Sequence, residues 1–126
     1  MKWAFATVVV RDLAKSRDWY RDVLGFKVGT FSAKSGWCEL SLPRSGVKLA
    51  LLEPRKEWGD FAAMIRKREG TYTGLIFHVD DIDDEVERLR RLGVKFTRKP
   101  KAELWGGLEA MFADPDGNEF HLVQPA

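Results

Sequence analysis

The chain holds two histidines, His78 and His121. Histidine changes charge near neutral pH and also ligates metals, so this scarcity bounds both acid–base and metal chemistry. Phe120 and Leu122 flank His121. Strand alternation sends those two side chains to one face, and His121 to the other with Glu119 and Val123. There His121 serves as a polar anchor for a ligand or as a general base, and Glu119 is the second candidate for moving a proton. The plainer alternative is a histidine hydrogen-bonded to a neighbouring carboxylate. His78 precedes Val79-Asp80-Asp81, a setting in which a carboxylate holds a partly exposed imidazole. The one cysteine, Cys38, excludes an internal disulfide and a cysteine-rich zinc site. No histidine is obviously placed to activate it, so packing is its expected role.

Five tryptophans are many for 126 residues. Trp19 falls on a helix and reads as core or interface packing. Trp37, Trp58 and Trp105 fall in loops or at strand ends. In Trp105-Gly106-Gly107 the glycines let the backbone bend and leave the indole accessible, which suits flat or apolar ligands. A loop anchored by a buried ring is the other reading of the same residues. Asp80-Asp81 and Asp83-Asp84-Glu85 stand at a helix start, where carboxylates cap and complement the helix dipole, so a metal role is rejected. Gly106-Gly107 lacks the Gly-Lys-Ser/Thr ending of a phosphate loop.

These side chains need elements to position them. Val8-Val9-Val10 is a β-branched strand. Asp12 caps a helix that runs to Leu24, with Leu13, Ser16, Tyr20, Val23 and Leu24 near one face. Gly25 ends it, and Phe26-Lys27-Val28 starts a strand. The same order returns later. Leu75 to Val79 is a strand, Asp80-Asp81 caps a helix carrying Val86, Leu89 and Leu92, Gly93 ends it, and Val94-Lys95-Phe96 leaves as a strand. Asp12 and Asp81 are 69 positions apart, whereas Gly25 and Gly93 are 68 apart. Two hairpins complete the halves. Trp37 to Leu42 and Val47 to Leu52 flank Pro43-Arg44-Ser45-Gly46. Leu108 to Ala113 and Glu119 to Gln124 flank Asp114-Pro115-Asp116-Gly117-Asn118. The chain is therefore two β-α-β-β-β modules, residues 1–53 and 72–126, joined by a linker at 54–71. Phe61, Met64, Ile65 and Arg68 give that linker helical spacing, and Arg66-Lys67-Arg68 reads as a solvated face.

Composition narrows the function classes. Hydrophobic residues make up 44% and charged residues 32%, an ordinary globular balance. The net charge of +2 is too small to argue for nucleic acid or a membrane surface. No run approaches the ~20 apolar residues of a membrane helix, and Met1-Lys2-Trp3-Ala4 lacks the apolar stretch of a secretory signal. The expectation is a soluble, cytoplasmic protein with no nucleic-acid or membrane partner.

Val10-Arg11-Asp12-Leu13-Ala14-Lys15-Ser16 with Trp19-Tyr20-Arg21-Asp22-Val23-Leu24-Gly25-Phe26 resembles the first helix of the vicinal oxygen chelate superfamily. That superfamily includes glyoxalase I, extradiol dioxygenases and bleomycin-resistance proteins. Phe112-Ala113-Asp114-Pro115-Asp116-Gly117-Asn118 resembles the hairpin before its last strand. The resemblance covers nearly the whole chain and implies an α+β fold: two βαβββ modules in an open, cupped mixed β-barrel with helices outside. It also implies a homodimer. Enzymes of the superfamily hold one divalent metal from four strand positions, which fall here on Phe5, Ala50 (to within a residue), Gly74 and His121. Phe, Ala and Gly carry no donor, and a divalent metal needs three or four. His78 shares parity with Gly74, but four residues of strand span about 13 Å, so His78 is expected too far along to join His121. An off-pattern site would have to draw on Glu39, Glu53, Glu109 or Glu119.

The leading expectation is thus a metal-free small-molecule-binding protein with no cofactor. Phe5, Trp37, Leu52, Ile76 and Trp105 would line its cavity, with His121, His78 and Glu39 as polar fixers. The mildly basic charge favours a neutral or anionic, partly apolar ligand. The alternative is a lyase, isomerase or dioxygenase of glyoxalase type, with or without metal, using His121 or Glu119 as base. A partner-binding module with a vestigial cavity is a third, weaker reading.

Overall fold

The structure, a computed structural model, describes residues Met1 to Ala126. The chain separates into two compact units, Met1–Gly70 and Thr71–Ala126. In the first, strand β1 (Ala6–Val9) leads to helix α1 (Leu13–Asp22) and strands β2 (Lys27–Ser32), β3 (Trp37–Ser41) and β4 (Lys48–Leu52). A 3-10 turn (Lys56–Trp58) and helix α2 (Asp60–Arg66) follow. In the second, β5 (Tyr72–His78) leads to α3 (Ile82–Arg91), β6 (Lys95–Ala102), β7 (Leu108–Ala113) and β8 (Glu119–Gln124). Each unit has one mixed four-stranded sheet, ordered β1-β4-β3-β2 and β5-β8-β7-β6, in which the first and last strands run parallel. No helix is long and apolar enough to cross a membrane.

The two halves start their helices in the same way. Asp12 accepts from the Lys15 N–H at 3.0 Å, and Asp81 from the Asp84 N–H at 3.1 Å. Each is extended at the cap, with φ −132° and −135°, so each carboxylate satisfies an orphan donor of the first turn. A second tie comes from far along the chain. The Leu13 N–H donates to Glu53 Oε2 at 2.7 Å, and the Ile82 N–H donates to Gln124 Oε1 at 2.9 Å. A side chain at the end of each module thus pins the first N–H of that module's helix.

The helices end alike but not identically. Gly25 and Gly93 take φ +81° and +85°, the left-handed conformation that a side chain disfavours. Val94 N–H then reaches back five residues to the Leu89 carbonyl, and Phe26 N–H six residues to that of Tyr20. The one-residue difference between the two repeat offsets is absorbed at this end of α1. Leu92, expected on the buried face of α3, is instead half exposed (48%). It caps the helix rather than continuing it, so its side chain leaves the apolar stripe of Ile82, Val86 and Leu89.

In the first unit, Val8, Leu13, Tyr20, Phe26, Cys38, Leu40, Leu49 and Leu51 are buried where α1 packs on β3 and β4. In the second, Phe77, Phe96, Phe112 and Phe120 form a ring cluster with centroids 5.5 to 6.0 Å apart. Each such pair adds about 0.5–1.5 kcal/mol beyond area burial. The segment expected as a linker packs with the first unit. Arg68 donates to the Thr7 hydroxyl and carbonyl, Glu69 pairs with Arg11, and Arg66 reaches the Pro54 carbonyl.

The Asp114–Asn118 turn is a buried hydrogen-bond knot. Asp114 Oδ1 accepts from the N–H groups of Asp116 and Asn118 at 2.9 Å each. Asn118 Nδ2 donates to Asp114 Oδ2 at 2.9 Å, and Asn118 Oδ1 accepts from the Thr71 N–H at 3.3 Å. The knot fixes the start of β5 against the start of β8, and so sets the strand pair that carries His121.

Candidate functional site

The two sheets offer separate faces on the side away from their helices. In the first unit, register places Thr7, Ala50 and Glu39 in one row, and Val9, Leu52 and Trp37 in the next. Trp37 Nε1 donates to Glu39 Oε2 at 2.8 Å. Phe5, just before β1, meets the Trp37 ring edge-on, with centroids 5.4 Å apart and planes at 83°. The sequence-predicted Phe5, Trp37, Glu39 and Leu52 therefore share a face, with the Glu39 carboxylate holding the indole in place.

In the second unit the face is built in three rows across four strands. These are Tyr72–Glu119–Ala113–Lys95, Ile76–His121–Met111–Arg98 and His78–Val123–Glu109–Lys101. His121 sits in the middle row. Its Nε2 lies 2.6 Å from the Tyr72 hydroxyl, and its Nδ1 lies 3.1 Å from Glu109 Oε1. Tyr72 meets the imidazole edge-on at 5.3 Å and 86°. A carboxylate only accepts, so Nδ1 carries a proton toward Glu109. In the neutral ring Nε2 is then the acceptor, and the Tyr72 O–H donates to it. The phenol oxygen keeps its lone pairs free on the exposed side. Protonation of the ring reverses the last link: Nε2–H donates, and the Tyr72 hydroxyl turns its own proton outward.

This arrangement depends on one irregularity. Between Tyr72 and Ile76, β5 spends four residues where β8 spends two, from Glu119 to His121. Gly74, at φ +72°, makes the bulge, a conformation that few residues other than glycine adopt. The expected neighbour of His121 was position 74, but the bulge moves that pairing to Ile76. His78 is correspondingly nearer, one row along from His121 rather than four residues away. It is exposed and makes no side-chain hydrogen bond or ion pair, so no carboxylate holds it.

The remaining predicted residues are dispersed. Glu119 is in the outer row, where it accepts from the Thr97 hydroxyl at 2.9 Å and does not bond His121. Trp105, half exposed, lies in the loop after β6 with its ring folded against Gly107. Among the carboxylates weighed for an off-pattern metal, Glu53 is engaged by Leu13 and Arg55, and Glu39 by Trp37. No group of three His, Cys, Asp or Glu side chains converges. Burial pushes the Cys38 thiol above its ordinary value, against the opposing charge of Arg17, so it is a poor nucleophile.

Sequence reasoning did not single out Tyr72 or its link to His121. The available signal was parity, since Tyr72, Gly74, Ile76 and His78 alternate with the buried side of β5. The bulge that brings the hydroxyl onto Nε2 has no signal beyond the glycine itself.

A duplicated βαβββ chain, with one mixed four-stranded sheet in each half and a polar cluster on the last strand, defines a class of small cupped-sheet proteins. The Glyoxalase/Bleomycin resistance protein/Dioxygenase superfamily matches residues 3–122, and the chain belongs to it. A superfamily member from Sphaerobacter thermophilus has a crystal structure with TM-score 0.82 and 31% identity, covering 98% of both chains. TnmS3, described as an antibiotic binding protein from a Streptomyces species, aligns with TM-score 0.74 and 26% identity over 99% of this chain and 98% of its own. An uncharacterized Shewanella frigidimarina protein is 32% identical over 93% of this chain and 88% of its own length.

Proposed function

We propose that the protein binds a small, partly apolar, neutral or anionic ligand without a metal or other cofactor. One observation carries this. His121 is the only superfamily ligand position with a donor, and both of its ring nitrogens are already engaged, by Tyr72 and by Glu109. Phe5, Ala50 and Gly74 have no donors to add, so the residues present do not fit a divalent ion. The faces instead offer rings and a few fixed polar groups, the composition of a small-molecule site. The likeness to an antibiotic binding protein points the same way. The reading also carries a homodimer, and a small molecule rather than nucleic acid or membrane as the partner.

A second reading draws on the Tyr72–His121–Glu109 chain, which has the order of an acid–base relay: a carboxylate orients an imidazole, which faces a hydroxyl. In a lyase or isomerase the hydroxyl would exchange a proton with the substrate, and His121 would take up or return it.

Thermal shift after chelation, repeated with nickel, zinc, manganese and ferrous iron and with an aromatic ligand library, tests the first reading. A native-state ligand at a hundredfold excess over its dissociation constant adds about 2.7 kcal/mol. Stabilisation by aromatic compounds and not by metals is the expected result. A stoichiometric metal whose stabilisation disappears in His121→Ala would overturn it. Turnover that His121→Ala abolishes would move the enzyme reading forward.

A further inference from the structure

We infer that the ligand face of the second unit selects an aromatic anion, with its acid group held by Arg98 and Lys101. This deepens the proposed binding function and rests on it. The observation is the course of β6. Between Phe96 and Arg98, and again between Arg98 and Lys101, β6 spends one more residue than β7 does. Two bulges in one strand change which side chains reach which face. Lys95, Arg98 and Lys101 consequently pair with Ala113, Met111 and Glu109, the same residues that face His121 and its neighbours on β8. An unbroken strand would send Arg98 to the helix side of the sheet if Lys95 and Lys101 faced His121.

All three cations are exposed, and none makes a side-chain hydrogen bond or ion pair. The two carboxylates of this face keep their charge but bond His121 and Thr97 rather than a cation. Lys95, Arg98 and Lys101 against Glu109 and Glu119 leave the face with a net charge of +1 (3 − 2), and its unpaired cations stand at the β6 end. At the β5 end it presents Tyr72 and Ile76, 58% and 59% exposed. Three strand spacings, about 14 Å, separate these ends. A bicyclic aromatic acid and an extended arginine side chain fill that span together. The acid group would meet Arg98 and Lys101, the ring would lie toward Ile76 and Tyr72, and the Tyr72 oxygen, its proton given to His121, keeps a lone pair to accept from a polar substituent of the ring.

Lysines on an edge strand also guard against strand pairing, and the experiment separates the two roles. The probes are 8-anilino-1-naphthalenesulfonate and its uncharged counterpart, N-phenyl-1-naphthylamine, titrated by fluorescence. The wild type is expected to bind the sulfonate more tightly, with an affinity that falls as salt rises. Arg98→Gln and Lys101→Gln should each weaken the sulfonate about fivefold, leaving the amine unchanged. Lys34→Gln, in a turn of the first unit, should alter neither. Equal binding of both probes, or an equal loss in Lys34→Gln, overturns the anion selectivity and leaves the binding reading standing. Variants that lose solubility at unchanged sulfonate affinity make the cations edge guards and also overturn it. Failure of both probes to bind wild type counts against the binding function itself.

Discussion

Replacing Tyr72 with Phe removes one atom from the site and asks whether the His121 chain exists in solution. The ring stays, so the edge-on contact and the shielding of the imidazole stay too. What goes is a hydrogen bond of 2.6 Å between the hydroxyl and Nε2. Such a bond is worth about 0.5–1.5 kcal/mol net. Tyr72 is more than half exposed, so water recovers part of this, and the fold should lose no more than about 1 kcal/mol. Nε2 should change far more in availability. A bond of about 1 kcal/mol holds its lone pair engaged about fivefold more often than free, and the stated range gives roughly two- to twelvefold. Diethyl pyrocarbonate acylates a free imidazole lone pair, and the chain has only two histidines to follow by peptide mapping. His78 is exposed and unpartnered, so it serves as an internal clock. The expected result is slow His121 labelling in wild type, a rise of about fivefold in Tyr72→Phe, and an unchanged His78 rate. If His121 labels as fast as His78 in wild type, or does not speed up in the variant, the Tyr72–His121 link is not formed and the case against metal binding loses its carrying observation.

Asn118→Ala leaves the buried Asp114 carboxylate without its side-chain donor and the Thr71 N–H without its acceptor, so chemical denaturation should show a loss of about 2–4 kcal/mol. Glu53→Ala removes the acceptor of the Leu13 N–H and the partner of Arg55; it should cost about 1–2 kcal/mol, with a matching loss in Gln124→Ala, if the two helices are pinned alike. Cys38 should react with Ellman's reagent only as fast as the chain unfolds. Its native value is raised, so stability is unaffected below the ordinary thiol value of 9.0; above it the unfolded chain releases the proton first and stability falls with pH. A flat stability profile through pH 9 to 10 would contradict that burial.

Local chemistry made most of the fold readable. Asp12 and Asp81 announce helix starts because a carboxylate at that spacing satisfies backbone donors within three residues. Asp114 to Asn118 announces a turn because proline and glycine restrict and widen backbone angles at fixed places. Both hairpins and helices α1 and α3 follow from signals of this reach, whereas α2 was read from side-chain spacing alone and leaves Phe61 and Met64 exposed. Glu53 and Gln124 did not announce themselves as helix pins, since each acts over 40 or more residues and only the closed sheet brings it home. The bulges were equally hidden. Period-two alternation assigns a face only while the strand is regular, and one extra residue reverses every assignment beyond it. His121 was placed on the correct face because β8 is regular. Its neighbour was misplaced because β5 is not, and Arg98 drew no notice because its face is set by a bulge in β6.

The duplication supplies a comparison within one chain. Ala50 is centred in its row between Thr7 and Glu39, as His121 is centred between Ile76 and Met111. Backbone order and strand direction are the same in both units, yet no side chain of one row repeats in the other. The first face spends its carboxylate on an indole, the second on an imidazole. Ala50 carries no donor at the position where His121 carries one. Freeing His121 by Tyr72→Phe returns a single nitrogen, still at least two donors short of a stable site. On the proposed reading, building a metal site would take simultaneous changes on several strands, whereas a change of ligand would take only one exposed side chain such as Arg98 or Ile76.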